Sequence, residues 1–294
     1  MVLMPHCDEN PKKALMENLY RHVKSLSVDI GDRHLWKENS LTKAADYIES
    51  IFSDSGYHVQ PQTFSCYGRS VSNLIAEKHG KETHAVVIGA HYDTVPGTPG
   101  ADDNASAVAG LLELARLCKD MSTPKTLLFV AFVNEEPPCF GSMNMGSMVY
   151  AKHLKDSAAP VDVMVSLEMI GVYSKEQIQQ YPLPGMGLFY PKTADFIGIA
   201  GNLRSSKYVS LFRRGIKKYS TLDARSLRAP EYVGGINLSD NYSFWRHGYK
   251  AVMITDTSFF RNRNYLQETD TIETLDFERM AELIQGLSWT LSEM

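Results

Sequence analysis

The sequence predicts an α/β fold: a single domain with a mostly parallel, mixed central sheet flanked by helices on both faces. Three observations carry this. At 294 residues, with 44% hydrophobic and 22% charged residues, the chain has the size and balance of one globular core. The run Ala85–Gly89 is continuously apolar rather than alternating, and 126–133 is apolar after Thr126, as in strands buried on both faces. Strand-like segments also alternate with helical periodicity along most of the chain, the order that a sheet covered on two sides requires.

The elements follow in order. Asn10–Leu26 and Ser40–Phe52 read as amphipathic helices; in the second, Leu41, Ala44, Ala45, Ile48 and Ile51 recur near three-four spacing. Residues 57–65 alternate like a strand, then come Val71–Ala76 and the buried strand Ala85–Gly89. A Gly/Pro-rich loop, Pro96–Gly100, leads into a helix over Ala105–Leu117. The buried strand 126–133, a helix over Met145–Leu154 and a strand over Val161–Ile170 come next. Phe196–Ala200 and Ala251–Ile254 are two short strands, and Lys207–Lys218, Asp240–His247 and Phe277–Leu291 are helices. Residues 172–239, rich in Tyr, Pro and Gly, are expected to form an insertion over the active-site end of the sheet. No repeat or linker divides the chain.

Charge and cysteine usage exclude several functions. Thirty basic against 34 acidic residues give a net charge of −4, which points away from nucleic acid and from anionic membrane surfaces as partners. No apolar run has the length of a membrane span, and the N-terminal segment lacks the pattern of a secretory signal. A cytoplasmic location is therefore expected, an exported chain already trimmed of its leader being the alternative. Cys7, Cys66, Cys118 and Cys139 are scattered without a CxxC pair, which excludes a structural zinc finger and favours free thiols. The HExxH helix, the GxSxG elbow and the P-loop are all missing.

Four segments, three at predicted strand ends and one at a helix start, carry metal-binding side chains. They are His91 and Asp93 after the first buried strand, Asp102 and Asp103 before the next helix, Glu135 and Glu136 after the second buried strand, and Glu168. Taken singly, each has a structural explanation: the aspartates as helix caps, the glutamates as a solvated loop, His91 as a hydrogen-bonded core residue. Together they place several carboxylates at the ends of buried strands, and convergence on a cation relieves that cost. One histidine with carboxylates suits zinc, with manganese or cobalt as alternatives.

His-Tyr-Asp-Thr-Val (91–95), Gly-Ala-Asp-Asp-Asn-Ala-Ser (100–106), Asn-Glu-Glu (134–136) and Leu-Glu-Met-Ile-Gly (167–171) stand in this order. With Ser-Asp-Asn-Tyr-Ser-Phe-Trp (239–245) and Gly-Tyr-Lys-Ala-Val-Met-Ile-Thr-Asp-Thr (248–257), they resemble the M28 family of zinc exopeptidases, from about Leu19 to Ile284. The resemblance implies an aminopeptidase acting on peptides through two zinc ions. It implies that His91 and Glu168 bind zinc, that Asp103 bridges the two ions, and that Glu136 is a ligand of the second. Asp93 would orient the His91 imidazole, Glu135 would be the general base, and Tyr265 would donate to the developing oxyanion. Many members have aspartate at the position of Glu168.

One position departs from the pattern. The family's last ligand is a histidine in a Tyr-His step before an Asp-Thr pair; here Tyr265, Asp270 and Thr271 match, but Leu266 stands on the histidine. Leucine has no lone pair, so one zinc site is expected to be weakened or empty, left with Asp103 and Glu136. His247 is the sole histidine beyond the fourth ligand segment, and it is expected to cap a helix end instead. Leu266 reads either as a change introduced into an otherwise intact enzyme or as a natural loss of one metal. Two other functions compete: a catalytically inactive pseudo-peptidase or interaction domain, and glutaminyl cyclase, whose single zinc uses the missing histidine. Tyr181, Tyr190, Phe196 and Phe212 are candidate walls of a substrate pocket.

Overall fold

The computed structural model describes residues 11–294; Cys7 and the predicted helix start at Asn10 lie outside them. Among the described residues, ten strands and seven α-helices follow in chain order. α1 (Pro11–Lys24) and α2 (Glu38–Asp54) precede the hairpin β1 (Val59–Cys66) and β2 (Arg69–Lys78). β3 (Ala85–His91), α3 (Ala107–Cys118), β4 (Thr126–Phe132), α4 (Gly146–Asp156) and β5 (Val161–Glu168) form the middle of the chain. β6 (Ser174–Ile178) and β7 (Thr193–Ala194) pair as a small separate ribbon. β8 (Ile197–Gly201), α5 (Ser206–Tyr219), β9 (Ala224–Arg228), α6 (Asn241–Arg246), β10 (Ala251–Thr255) and α7 (Phe277–Ser292) complete it.

The main sheet runs β1-β2-β4-β3-β5-β10-β8-β9. Its central strands β4, β3, β5 and β10 are parallel, β1, β2 and β8 join antiparallel, and β9 pairs parallel to β8. All seven residues of β3 are buried, as its unbroken apolar run requires. Alternation sends Val86, Ile88 and Ala90 into the core beneath α1, α2, α3, α5 and α7, while Val87 faces the core under α4 and α6. At Gly89 a Cβ would stand 2.2 Å from the Phe132 ring, so the residue has to be glycine for β3 and β4 to pack.

The structure corrects the expected insertion. Of residues 172–239, β8 and β9 extend the main sheet and α5 packs on them, because Ile197, Ile199 and Ala224 bury their side chains in the same core. The β6–β7 ribbon pairs apart from the main sheet, whereas Ala229, Val233 and Ile236 join Met164 and Met253 in the core shared with α4 and α6. A second correction concerns the start of α3. Regular helix begins at Ala107, because Asp103 (φ −102°, ψ 90°) and Asn104 (φ −133°, ψ 33°) are not helical, so neither aspartate is an ordinary cap. Among the described residues, no helix is long and apolar enough to cross a membrane.

Candidate metal centre

The parallel core delivers three chemistry-bearing segments to one end of the sheet. His91 is the last residue of β3, Glu135 and Glu136 follow β4, and Glu168 ends β5, all at carboxyl termini, where open α/β sheets place their sites. Asp103 arrives from the irregular turn before α3.

His91 is buried, and its Nδ1 lies 3.1 Å from the carbonyl oxygen of Asp93. Because a carbonyl only accepts, Nδ1 carries a proton, and Nε2 is the nitrogen turned toward the carboxylates. Nε2 lies 3.4 Å from Asp103 Oδ1, 3.4 Å from Glu168 Oε2 and 3.9 Å from Glu135 Oε2. Donor atoms of His91, Asp103 and Glu168 fall within 4.8 Å of one another, and so do those of His91, Glu135 and Glu136.

Asp93 contacts its neighbours through both its backbone and its carboxylate. The backbone carbonyl holds the imidazole, while the carboxylate accepts the N–H groups of Glu135 (3.0 Å) and Glu136 (3.1 Å). Its Oδ1 is 3.6 Å from His91 Nδ1. Asp270 does the same for the opposite segment, accepting from the N–H groups of Asp102 and Asp103 at 3.0 Å each. Each pair of acidic side chains is thus aimed by one carboxylate strap gripping the backbone behind it. Asp102 turns away from the centre and accepts from Gly171 N, Ser106 Oγ and Asn262 Nδ2.

Electrostatics set the chemistry of this cluster. Burial, then mutual repulsion, raises Glu136 well above the ordinary carboxylate range; burial does the same to Glu135, partly offset by His91, with Glu136 and Glu168 adding to it. Burial also raises Glu168. For His91, burial disfavours the charged ring, but Glu135, Glu168, Asp103 and Asp93 outweigh it and raise its pKa. Asp103 Oδ1 is buried and has no hydrogen-bond partner among the described residues. Buried nitrogen and carboxylate donors with one orphaned oxygen fit a divalent cation, which would satisfy that oxygen and offset the repulsion.

Tyr265 borders a largely apolar cavity beside the centre, together with Glu168, Met253, Tyr181, Tyr190 and Phe196. Three of the four predicted pocket residues therefore line it, whereas Phe212 is buried in the core beneath α5. Burial, then repulsion from Asp103, Glu136, Glu168 and Glu135, raises the Tyr265 phenol. Leu266 follows at φ 56°, partly buried, and His247 is elsewhere, its Nδ1 2.9 Å from the Ser243 carbonyl.

Sequence reasoning passed over three residues. Arg33 is fully buried and donates to the carbonyls of Tyr92, Leu26, Gly31, Pro99 and Gly100, tying together the loops on either side of the site. Ser239 Oγ donates to Glu168 Oε2 at 2.8 Å and is itself 2.8 Å from Ser166 Oγ. Asp240 is fully buried with neither carboxylate oxygen partnered among the described residues, and burial pushes it up to about 7 against the pull of His91. Both Ser239 and Asp240 lie in the quoted 239–245 motif, which was the available signal.

Residues 73–288 match Peptidase family M28. The protein YfbL of Escherichia coli is 38% identical over 287 residues, covering 94% of this chain and 88% of that one. Aminopeptidase YwaD of Bacillus subtilis is 36% identical over 113 residues, 38% of this chain and 24% of that protein. A zinc aminopeptidase from Bacillus subtilis superposes with a TM-score of 0.75 at 18% identity, covering 95% of this chain and 94% of that one. A glutaminyl cyclase from Fimbriiglobus ruber gives 0.73 at 19% identity over 100% and 99%. Likeness at such identities shows a shared fold. With the family match spanning most of the chain, this protein belongs to peptidase family M28.

Proposed function

We propose that the chain is a zinc-dependent aminopeptidase that removes N-terminal residues from peptides, with one of two zinc sites weakened by Leu266. The observation that carries it is the meeting of His91 Nε2 with Asp103 Oδ1 and Glu168 Oε2, with Glu135 beside them. His91, Asp103 and Glu168 would hold one ion, and Asp103 with Glu136 the other. Zinc, when bound, polarises a carbonyl and lowers the pKa of water.

The remaining chemistry belongs to side chains. Glu135, its backbone fixed by Asp93, takes the proton of the attacking water and returns it to the leaving amine. Tyr265 keeps its phenolic proton and donates it as a hydrogen bond to the oxygen that gains charge. The cavity beside Tyr265 and Glu168 receives the side chain of the N-terminal residue, and its walls exclude water around it.

Leu266→His tests the reading. Histidine tolerates the left-handed backbone at φ 56° better than leucine does, so the exchange is expected to fold. Zinc bound per chain and hydrolysis of aminoacyl substrates should both rise; no gain in either overturns the assignment of this position. Leu266 also favours a second reading, a pseudo-peptidase that has kept the scaffold. Failure of the restored variant to bind zinc at all would support it. Cyclisation of an N-terminal glutamine, assayed alongside, separates glutaminyl cyclase from both.

A further inference from the structure

Two thiols outside the catalytic set lie against each other at the edge of the centre. Cys66 ends β1 and Cys139 follows Glu135-Glu136-Pro137-Pro138; their Sγ atoms are 3.5 Å apart, and both residues are buried. A disulfide needs about 2.05 Å, so the sulfurs have roughly 1.5 Å to close. The turn that carries Cys139 is short and tied. Cys139 N–H donates to the Glu136 carbonyl at 3.0 Å, and the Asp93 carboxylate holds the Glu135 and Glu136 amides at the other end.

We propose that Cys66 and Cys139 form an oxidisable pair whose disulfide locks the Glu135–Glu136 turn onto the β1–β2 hairpin. In the reduced chain the pair is quiescent. Burial, followed by the contact with Cys66, pushes the Cys139 thiol up to about 12, and burial also raises Cys66. Joining the two sulfurs removes two electrons, so closure needs an oxidant, and a small uncharged peroxide suits the narrow crevice that Cys139 lines with Trp36, Pro96 and Glu136; the raised thiol pKa values make the reaction slow.

The step balances. Cys139 sulfur gives up its proton and attacks one peroxide oxygen, the O–O bond breaks, and water leaves with that proton, giving a sulfenic acid. Cys66 sulfur then attacks the Cys139 sulfur, the S–O bond breaks, and the departing hydroxide takes the Cys66 proton as a second water. Two thiols are oxidised and one peroxide is reduced. The chemistry is independent of the peptidase reading.

Hydrogen peroxide on the full-length unmutated protein, followed by peptide mass mapping under native pH, tests the pair. The expected result is a 66–139 crosslinked peptide lighter by two hydrogens, reversed by dithiothreitol and missing from Cys66→Ser and Cys139→Ser. Hydrogen exchange across residues 136–142 should slow on oxidation and recover on reduction. Free thiols throughout, a link through Cys118 or Cys7 instead, or Cys139 oxidised alone to the sulfinic acid would overturn the proposal. Because the mass map is read on the unmutated chain, a variant that fails to fold leaves the test standing.

Discussion

Replacing Arg33 by methionine isolates how much of the centre depends on a residue that touches no substrate. Its guanidinium donates to five carbonyls. The carbonyls of Leu26 and Gly100 also accept backbone N–H groups, from Gly31 and Ala105, whereas those of Tyr92, Gly31 and Pro99 depend on the guanidinium. The buried Tyr92 carbonyl is left unsatisfied and the half-buried Gly31 and Pro99 carbonyls lose a charged donor; at about 1–3 kcal/mol each, this comes to roughly 6 kcal/mol together. Against this, burial drags the Arg33 pKa from 12.5 to about 10 despite Asp93, Asp270 and Asp103. That shift marks on the order of 3 kcal/mol of charge burial which methionine does not suffer. The net loss is about 3 kcal/mol, which for a chain of this size lowers Tm by roughly 5 °C. Tyr92, Pro99 and Gly100 flank the segments bearing His91 and Asp103, so zinc affinity should fall about 10–100-fold, as for other outer contacts to metal ligands. Thermal melting of the zinc-free protein gives the first number and competitive zinc titration the second. An unchanged Tm together with unchanged affinity refutes the reasoning.

Two further outcomes follow from single contacts. Ser239→Ala removes the hydroxyl held 2.8 Å from Glu168 Oε2, and zinc affinity should drop about 10–100-fold with the fold intact; Ser239→Thr keeps the hydroxyl and should restore it in the same titration. Glu113 gives a pH test away from the site: burial pushes its carboxyl up, but hydrogen bonds from His22, Arg116 and Asn18 outweigh this and bring it down to about 2 from 4.5. A depressed carboxylate pKa stabilises the fold above its unfolded value, so on the order of 3 kcal/mol present above about pH 4.5 should vanish as pH falls toward 2. Denaturant midpoints across that window, with Glu113→Gln lacking the Glu113 contribution to the slope, measure it.

The segments that meet at the candidate centre were legible because a doubly buried strand announces itself as an apolar run, and whatever polar residue ends it must have a partner. His91, Glu135, Glu136 and Glu168 all stand on that logic. Asp103 was legible as a residue but not as a conformation, since the turn that carries it leaves the helical path under the grip of Asp270, far along the chain. Arg33 left no pattern, because all its acceptors are backbone carbonyls, which look alike in any sequence. β9, reading Ala-Arg-Ser-Leu-Arg, shows too little alternation to declare itself a strand. The Tyr-, Pro- and Gly-rich composition of 172–239 made an insertion of a stretch in which the strand read at Phe196–Ala200 belongs to the main sheet and β9 went unread.

The same long-range grips bear on Leu266. The loop around it is fixed to the Asp102–Asp103 segment on both sides: Asn262 Nδ2 donates to Asp102 Oδ2 at 2.8 Å, and Asp270 holds the amides of Asp102 and Asp103. Ala101 N–H adds a bond to the Asp270 carbonyl at 3.2 Å. Within the loop, Thr269 Oγ1 donates to Asn264 Oδ1 at 2.8 Å. A loop that had drifted after losing its role would not be expected to keep both anchors and the Tyr265 phenol against the acidic cluster. On the proposed reading, the change at Leu266 is then confined to one side chain on a docked loop, and Leu266→His should act without any compensating substitution. If a second change in residues 262–270 proves necessary before zinc binding improves, the loop is not held as these contacts imply.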